Sequence, residues 1–314
     1  MNQVEHYEKK HSFTDMDGSM TCSTKSCESW NCGTQRVYLP CEESEMEGYE
    51  THDVLYQLPL APCKVETISK PGSDKILVKK TVFKDGLNDF RKVAVRQECI
   101  IHSELDHPNI VKLHKYHESE DNLELVMDYC SKGSYFEDRL EDHYEPIEDM
   151  DALKKYAKEA LQGLAHIHSK GIIHCDVKLS NMGLNKNAEN SEEILQIFDF
   201  NLSVFADSDL EGKAHLDQCV GTFGYMAPEL KGSDIYVGPE IDMWALGICL
   251  YKMCVAYAPD KVRKYKYGSG PIPFLKRDWK NIDPEFQELI KLMLEYDPES
   301  RISSSEALEH EALN

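Results

Sequence analysis

The stretch HCDVKLSN, from His174 to Asn181, constrains this chain more than any other feature of its sequence. It contains Asp176, Lys178 and Asn181, and a second acid, Asp199, follows after an apolar run. Phosphoryl transfer requires a carboxylate for the accepting hydroxyl, a cation for phosphate charge, and oxygen ligands for magnesium. The pattern supplies all of these groups and therefore predicts a phosphoryl-transfer site.

The composition limits the classes of protein to which the chain can belong. At 314 residues the length predicts two domains or lobes, and a hydrophobic content of 41% suffices for a sizeable core. The net charge of -21 disfavours a nucleic-acid partner. The N-terminus has no apolar core of a signal peptide, and the longest apolar run, Trp244 to Leu250, is too short for a membrane span. Eleven scattered cysteines fit free thiols in a reducing compartment, so we expect an intracellular, cytoplasmic protein without a membrane partner.

Residues 1–50 are predicted to form a disordered acidic tail, because they are polar and lack sustained periodicity. The tail contains four cysteines, Cys22, Cys27, Cys32 and Cys41. Their spacing lacks the close Cys-x2-Cys pairs of most structural zinc sites, so a solvated tail is favoured over a zinc cluster.

From residue 51 the pattern changes to strands and then to helices. LYQLPL, CKVETI and KILVKKTVF read as three strands, Leu87 to Leu105 as a helix, and VKLHKYH with LELVMD as a hairpin. Helices are predicted over Met150 to Lys170, Glu240 to Val255 and Glu285 to Leu294, with two short strands after the first of them. A strand-rich part followed by a helix-rich part predicts an α+β bilobal architecture.

Several further motifs follow HCDVKLSN in a characteristic order: IFDFN at 197–201, GTFGYMAPE at 221–229, DMWALG at 242–247 and DPESR at 297–301. Over roughly residues 51–314 this order resembles the eukaryotic protein kinase family. The resemblance implies a small antiparallel β lobe with one helix at about 51–128, a hinge at 128–133, and a larger, mainly helical lobe at 134–314. It also implies a serine/threonine protein kinase that uses ATP and Mg²⁺ on a protein substrate.

The resemblance assigns roles to the first motif. Asp176 would orient the substrate hydroxyl and accept its proton, and Lys178, which is typical of the serine/threonine class, would neutralise phosphate charge. Asn181 and Asp199 would bind magnesium. Thr222 would hydrogen-bond to Asp176 and Lys178.

The structural motifs of the larger lobe also receive roles. Glu229 would pair with Arg301 as a buried strut, and Asp242 would brace the backbone near His174. Small-molecule phosphotransferases lack this loop and strut, which favours a protein substrate.

The nucleotide site is implied by the first three strands and the hinge. Lys79, in ILVK, would contact the α- and β-phosphates and pair with Glu98. Leu77 would stand for the alanine that packs on adenine, and Val65 for the valine of the covering strand. Met127 would guard the back of the pocket.

The hinge would run from Asp128 to Cys130. Gly183 would lie at the floor of the adenine pocket, where a larger apolar residue is usual. The family's glycine-rich loop is missing: the window from Gln57 to Val65 contains Pro59 and Pro62 and no glycine.

Other departures concern regulation and specificity. Cys175 replaces an arginine that usually meets a phosphate on the activation loop, so we expect activity to be independent of loop phosphorylation. His102 replaces an aliphatic residue and is expected to be buried and neutral, rather than to act as a pH-sensitive element. Ser134 and Lys252 stand where kinases that select upstream arginine often carry glutamates, so no basic-substrate preference is expected.

Two functions remain open at this point. The complete set of catalytic groups favours an active serine/threonine protein kinase. The missing glycine-rich loop favours the alternative, a pseudokinase that acts as a binding or scaffold module.

Overall fold

The computed structural model describes residues 48–57, 63–133, 135–143, 145–186, 192–262 and 270–313. The predicted tail lies outside these ranges except for its last residues, and so do its four cysteines and the prolines of the window before Val65. No helix within these ranges is long and apolar enough to cross a membrane.

The first part of the chain forms a five-stranded antiparallel sheet, in which the strands lie in the order β1-β2-β3-β5-β4. The strands are β1 (Glu50–Gln57), β2 (Cys63–Ser69), β3 (Ile76–Phe83), β4 (Leu113–Glu118) and β5 (Asn122–Asp128). The predicted strands CKVETI and KILVKKTVF and the predicted hairpin are therefore present, whereas β1 contains only the first three residues of the predicted strand LYQLPL, and the other three lie outside the described ranges. In the centre of the sheet, β3 pairs with β2 on one side and β5 on the other, which fixes which of its side chains share a face.

One long helix, α1 (Asp89–Ser103), packs beside this sheet. It begins at Asn88, whose side chain accepts a hydrogen bond from the backbone N–H of Arg91. Its buried Cys99 packs with Leu123 and Leu125 of β5. This packing holds the middle of α1 against the face of the sheet that also carries alternate residues of β3.

The second part of the chain is mainly helical, so the predicted α+β architecture is confirmed. Its helices are α2 (Met150–Ser169), α3 (Glu240–Val255), α4 (Lys276–Trp279), α5 (Pro284–Met293) and α6 (Ser304–Leu308). The residues of α3 from Ile241 to Cys254 are all buried, which is typical of a helix at the centre of a core rather than at its surface. The last helix, α6, begins with a capping box, in which Ser303 and Glu306 are bonded reciprocally.

Three short antiparallel strand pairs complete this part. They are β6 (Ile172–Ile173) with β9 (Val204–Phe205), β7 (Met182–Lys186) with β8 (Glu193–Ile197), and β10 (Ala214–Gln218) with β11 (Ser233–Val237). The β7–β8 pair matches the two predicted short strands. The β10–β11 pair was not predicted from the sequence.

Candidate active site

The loop after β6 carries the first motif, and a residue of helix α3 holds the backbone of this loop in place. The carboxylate of the buried Asp242, in α3, accepts hydrogen bonds from the backbone N–H groups of His174 (2.8 Å) and Cys175 (2.9 Å). It is also 3.0 Å from Nε2 of His168. Cys175 has a φ of 65°, in the left-handed region that is costly for a side chain with a Cβ. The predicted brace therefore exists, and it holds a strained turn that sets the direction of the next residue, Asp176.

Asp176, Lys178 and Thr222 form a closed triangle of contacts. The Lys178 ammonium is 2.7 Å from Asp176 Oδ2 and donates to Thr222 Oγ1 over 2.9 Å. The Thr222 hydroxyl donates to Asp176 Oδ1 over 2.7 Å. Both contacts expected of Thr222 are present. The triangle fixes the orientation of the Asp176 carboxylate with two charge-assisted contacts.

Asn181 and Asp199 stand at the ends of neighbouring segments. Asn181 ends a short 3₁₀ turn before β7, and its amide donates to the backbone carbonyl of Asp176 over 2.9 Å. Asp199 follows β8 and has a φ of 67°, a strained conformation that is common at functional sites. Phe198 N–H donates to Asn181 carbonyl over 3.0 Å, which links the two segments.

The donor set fits magnesium bound together with a polyphosphate. Magnesium is usually held by one or two protein carboxylates plus substrate phosphates and water, rather than by an all-protein cage. Asp199 and Asn181 supply one carboxylate and one amide oxygen. Across the ranges that the structure describes, no group of three or more His, Cys, Asp or Glu side chains could hold a metal by itself.

The lysine that reaches this site is Lys80, and the prediction of Lys79 was wrong. The Lys80 ammonium is 2.6 Å from Glu98 Oε1 and 3.1 Å from Asp199 Oδ1. Lys79 instead lies 3.6 Å from Glu124 and 4.0 Å from Glu66. Successive side chains of a strand point to opposite faces, so the two adjacent lysines of β3 cannot both face the site. Glu98 is the partner that the sequence predicted, but of the next lysine.

The charges of the Lys80 cluster support one another. Burial lowers the pKa of Lys80, but Asp199 and Glu98 raise it by more, and the net effect is a raised pKa. Burial raises the pKa of Asp199, but the charge of Lys80 outweighs this and the pKa is lowered. Lys80 is therefore an ammonium and Asp199 a carboxylate at neutral pH.

Leu77 is also on the wrong face for the predicted adenine contact. It packs in a small cluster with Ile68 and Val126, on the side of the sheet that Lys79 occupies. Val78, two residues before Lys80, shares the Lys80 face and is the corrected candidate. The reason is again the two-residue period of β3.

The other two candidate strand residues, Val65 and Met127, share the Lys80 face of the sheet. Val65 is paired across β2 and β3 with Lys80, so both side chains share one face. Met127 is paired with Val78 and packs against the cluster of Cys99, Leu123 and Leu125. It therefore lies on the Lys80 face of the sheet, between the sheet and helix α1.

The hinge closes tightly on β7. A Cβ at Gly183 would lie 2.6 Å from the Cα of Gly133 and 2.8 Å from Sγ of Cys130, so only glycine fits. The space left by the missing side chain is thus filled by the hinge itself. Burial raises the pKa of the Cys130 thiol to about 12, so this thiol is neutral. The Asp128 carboxylate points instead to His114 (2.7 Å) and Lys75 (2.8 Å).

The segment from Asp199 to Glu229 is anchored at both ends and in the middle. Its last residue, Glu229, pairs with Arg301 over 2.6 Å, and Arg301 also donates to the Glu240 carbonyl over 2.7 Å. The predicted strut is therefore present. In the middle, β10 of this segment pairs with β11, which lies beyond Glu229. Sequence reasoning missed this anchor because each strand has only five residues, so its apolar alternation is too short to stand out.

Comparison with known proteins places the chain in a family. Residues 62–313 match the family model described as "Protein kinase domain". Among curated relatives, the calcium/calmodulin-dependent protein kinase type II subunit delta of Oryctolagus cuniculus is 34% identical over 211 residues, or 66% of this chain and 38% of that protein. The type II alpha chain of Drosophila melanogaster is 32% identical over 71% of this chain and 41% of that protein.

A third relative covers more of the chain. The calcium/calmodulin-dependent protein kinase type IV of Mus musculus is 30% identical over 93% of this chain and 59% of that protein. The chain thus spans less than two thirds of the length of these relatives. The family match covers most of the chain and agrees with both the fold and the site: this protein belongs to the protein kinase family.

Proposed function

We propose that this chain is a serine/threonine protein kinase that transfers the γ-phosphate of ATP to a hydroxyl of a protein substrate. The observation that carries the proposal is the pair of joined clusters: Asp176 held by Lys178 and Thr222, and Asp199 held by Lys80. One cluster suits the accepting hydroxyl and the other suits the nucleotide. The protein kinase domain supports ATP and Mg²⁺ as cofactors.

Each charged group has a part in this proposed reaction. Lys80, kept in place by Glu98, would hold the α- and β-phosphates of ATP, and Asn181 and Asp199 would bind magnesium. When bound, magnesium would neutralise charge on the phosphate oxygens. Asp176 takes the proton of the substrate hydroxyl as its oxygen bonds to the γ-phosphorus, while the bond from this phosphorus to the β-phosphate oxygen breaks and ADP leaves.

Two further groups act on the acceptor side of the proposed site. Lys178 neutralises charge on the transferred phosphoryl group. Thr222 keeps Asp176 and Lys178 in a fixed relation, since its hydroxyl contacts both side chains.

The alternative is a pseudokinase, and its support is the window from Gln57 to Val65, which contains no glycine. Without glycine the backbone cannot approach the phosphates as closely. We favour activity because six charged or polar groups of the site are retained together: Lys80, Glu98, Asp176, Lys178, Asn181 and Asp199. Residues 51–314 would form the catalytic domain, and an intracellular location remains our expectation.

The test is Asp176→Asn, which keeps the shape of the side chain and removes the base. A general base contributes about 10²- to 10⁴-fold to a rate, so transfer of radiolabelled γ-phosphate to a generic protein should fall by at least about 100-fold. Thermal stabilisation by Mg-ATP should persist in the variant, because binding does not need the base. Equal transfer by the two proteins would refute the proposal, and absence of any shift with Mg-ATP in the wild type would favour the pseudokinase.

A further inference from the structure

An open cavity of about 640 Å³ lies where the end of α3 meets the start of α4. None of the residues of the candidate active site lines it. Its described lining consists of Tyr257, Lys261, Val262, Leu275, Lys276 and Arg277. Three of these six residues are cations, and all three are exposed, whereas Val262 is buried beneath them. We name this cavity the basic groove.

The sequence around the basic groove opposes the charge of the whole chain. From Asp260 to Lys280 the described residues include four lysines and arginines and two aspartates, in a protein with a net charge of -21. At physiological salt, charges more than about 8 Å apart are largely screened from one another. A ligand at the groove therefore experiences the local cations rather than the distant acidic surface.

The two described lysines of the groove lack a carboxylate partner within the described part of the fold. Lys261 and Lys276 form no ion pair with any described residue, whereas Lys112, Lys154 and Lys213 each contact a carboxylate. Arg277 contacts its neighbour Asp278 at 3.2 Å.

Two unpaired lysines facing one cavity are not explained by folding, because neither stabilises a described contact. They are available to a negatively charged ligand.

We propose that the basic groove binds a run of aspartate and glutamate side chains in the protein substrate and so docks the substrate on the kinase. The proposal rests on the proposed function, because it assumes a protein substrate. Each lysine ammonium supplies three donors for carboxylate oxygens. The apolar floor of Tyr257, Val262 and Leu275 can cover the methylene groups of glutamate. Because none of the candidate active-site residues lines the groove, docking there selects substrates by a segment separate from the phosphorylated residue.

The proposal can be tested by binding without turnover. A fluorescein-labelled peptide with six consecutive glutamates is titrated with the full chain and followed by fluorescence anisotropy, next to the same peptide with glutamines. The groove variant is Lys261→Glu/Lys276→Glu. The control is Lys170→Glu/Lys186→Glu, which changes the net charge equally at two exposed lysines outside the groove.

We expect the glutamate peptide to bind the wild type, more weakly as salt is added, and the glutamine peptide not to bind. The groove variant should bind about tenfold more weakly and the control within about twofold of the wild type. Equal binding by the groove variant and the wild type would overturn the proposal. So would binding at the groove of a phosphoserine peptide but not of the glutamate peptide.

Self-association is a further contrary outcome. The chain carries its own acidic run, EESEME at 42–47, before the described domain. If sedimentation shows an oligomer that the groove variant loses, the occupant is a second copy and the substrate proposal fails.

Phosphorylation of a short serine peptide without an acidic run separates this test from that of the proposed function. The groove variant should phosphorylate that peptide as the wild type does, and its KM should rise only for a substrate with the run. If the wild type transfers phosphate to neither peptide, the proposed kinase activity fails, whereas the anisotropy measurement still decides whether the groove binds the acidic run.

Discussion

His102 is a titratable side chain that the fold keeps neutral. It is 2% exposed, its Nε2–H donates to the Val111 carbonyl over 2.6 Å, and its ring lies 4.8 Å from that of Phe200. Burial lowers its pKa to about 4. The unfolded chain would have a histidine pKa of about 6.5. Unfolding therefore takes up a proton at mildly acidic pH, and stability should fall there.

The predicted size of this effect follows from linkage. The contribution of neutral His102 to the free energy of unfolding is fully present above about pH 6.5 and is lost as the pH falls toward about 4. Between pH 7 and pH 5 the free energy of unfolding should decrease by about 2 kcal/mol through this residue alone.

The measurement is urea unfolding at the two pH values for the wild type and for His102→Gln, which keeps a donor for Val111. The variant should lose about 2 kcal/mol less than the wild type over this interval. Identical pH dependence of the two proteins would show that His102 does not titrate as described.

At the scale of elements, the segment from Asp199 to Glu229 is positioned without a phosphate-binding arginine. Its hydroxyl-bearing serines and threonine are Ser203, Ser208 and Thr222. Ser203 donates to the His174 carbonyl and Thr222 donates to Asp176, so both hydroxyls are already used. Ser208 is exposed but lies between Asp207 and Asp209, where a phosphate would be repelled. The pairing of β10 with β11 and the Glu229–Arg301 contact hold the segment instead.

We therefore expect phosphorylation of this segment to have little effect on activity. Phosphatase treatment of the purified kinase and the Ser208→Ala variant should each leave the rate of γ-phosphate transfer within about twofold of the untreated wild type, since neither changes a contact that holds the segment. Intact-mass measurement before and after treatment provides the control. A loss of activity on dephosphorylation, prevented by Ser208→Asp, would contradict this account of the segment.

The elements themselves were largely predictable, and the exceptions have physical reasons. The long helices have a sustained 3.6-residue period, and the strands of the first sheet have a period of two. In β3, however, Lys79 and Lys80 are adjacent and identical, so the local sequence does not show which of them faces the candidate site. Only the cross-strand register, with Val65 opposite Lys80, decides which one faces Asp199. That register depends on long-range pairing, which the sequence of β3 alone does not contain.

At the scale of the whole molecule, the net negative charge of the chain does not determine which substrate residues the candidate active site prefers. Close to the loop that carries Thr222, the residue Lys252 is 9% exposed, and its ammonium donates to the Tyr225 hydroxyl over 2.7 Å. It also lies 4.4 Å from the centre of the Tyr225 ring. A positive charge at this position disfavours a nearby arginine of the substrate, whatever the distant surface charge.

A positional peptide array should therefore show no enrichment of arginine upstream of the phosphorylated residue. Lys252→Glu should raise the rate for peptides with upstream arginine several-fold relative to the wild type, because a carboxylate would replace the ammonium and could accept from the Tyr225 hydroxyl. Strong selection of upstream arginine by the wild type would contradict this prediction.

The candidate site was predicted in its catalytic half and less well in its nucleotide half. Asp176, Lys178 and Asn181 lie in one short motif, so their proximity follows from local sequence, and Thr222 joins them as expected. The face on which Leu77 lies depends on the register of β3, and the surroundings of Gly183 depend on how the hinge approaches β7. The close packing of Cys130 and Gly133 on Gly183 is a tertiary contact that no local pattern reveals.

Transfer of radiolabelled γ-phosphate by two matched variants, Lys80→Met and Lys79→Met, tests the central claim most directly. The substitutions are identical, lie one residue apart, and differ in whether the lost ammonium contacts Glu98 and Asp199 or Glu66 and Glu124. We predict that Lys80→Met lowers the rate by at least about 100-fold and that Lys79→Met stays within about threefold of the wild type. Equal rates for wild type and Lys80→Met, or loss of activity only in Lys79→Met, would contradict the account.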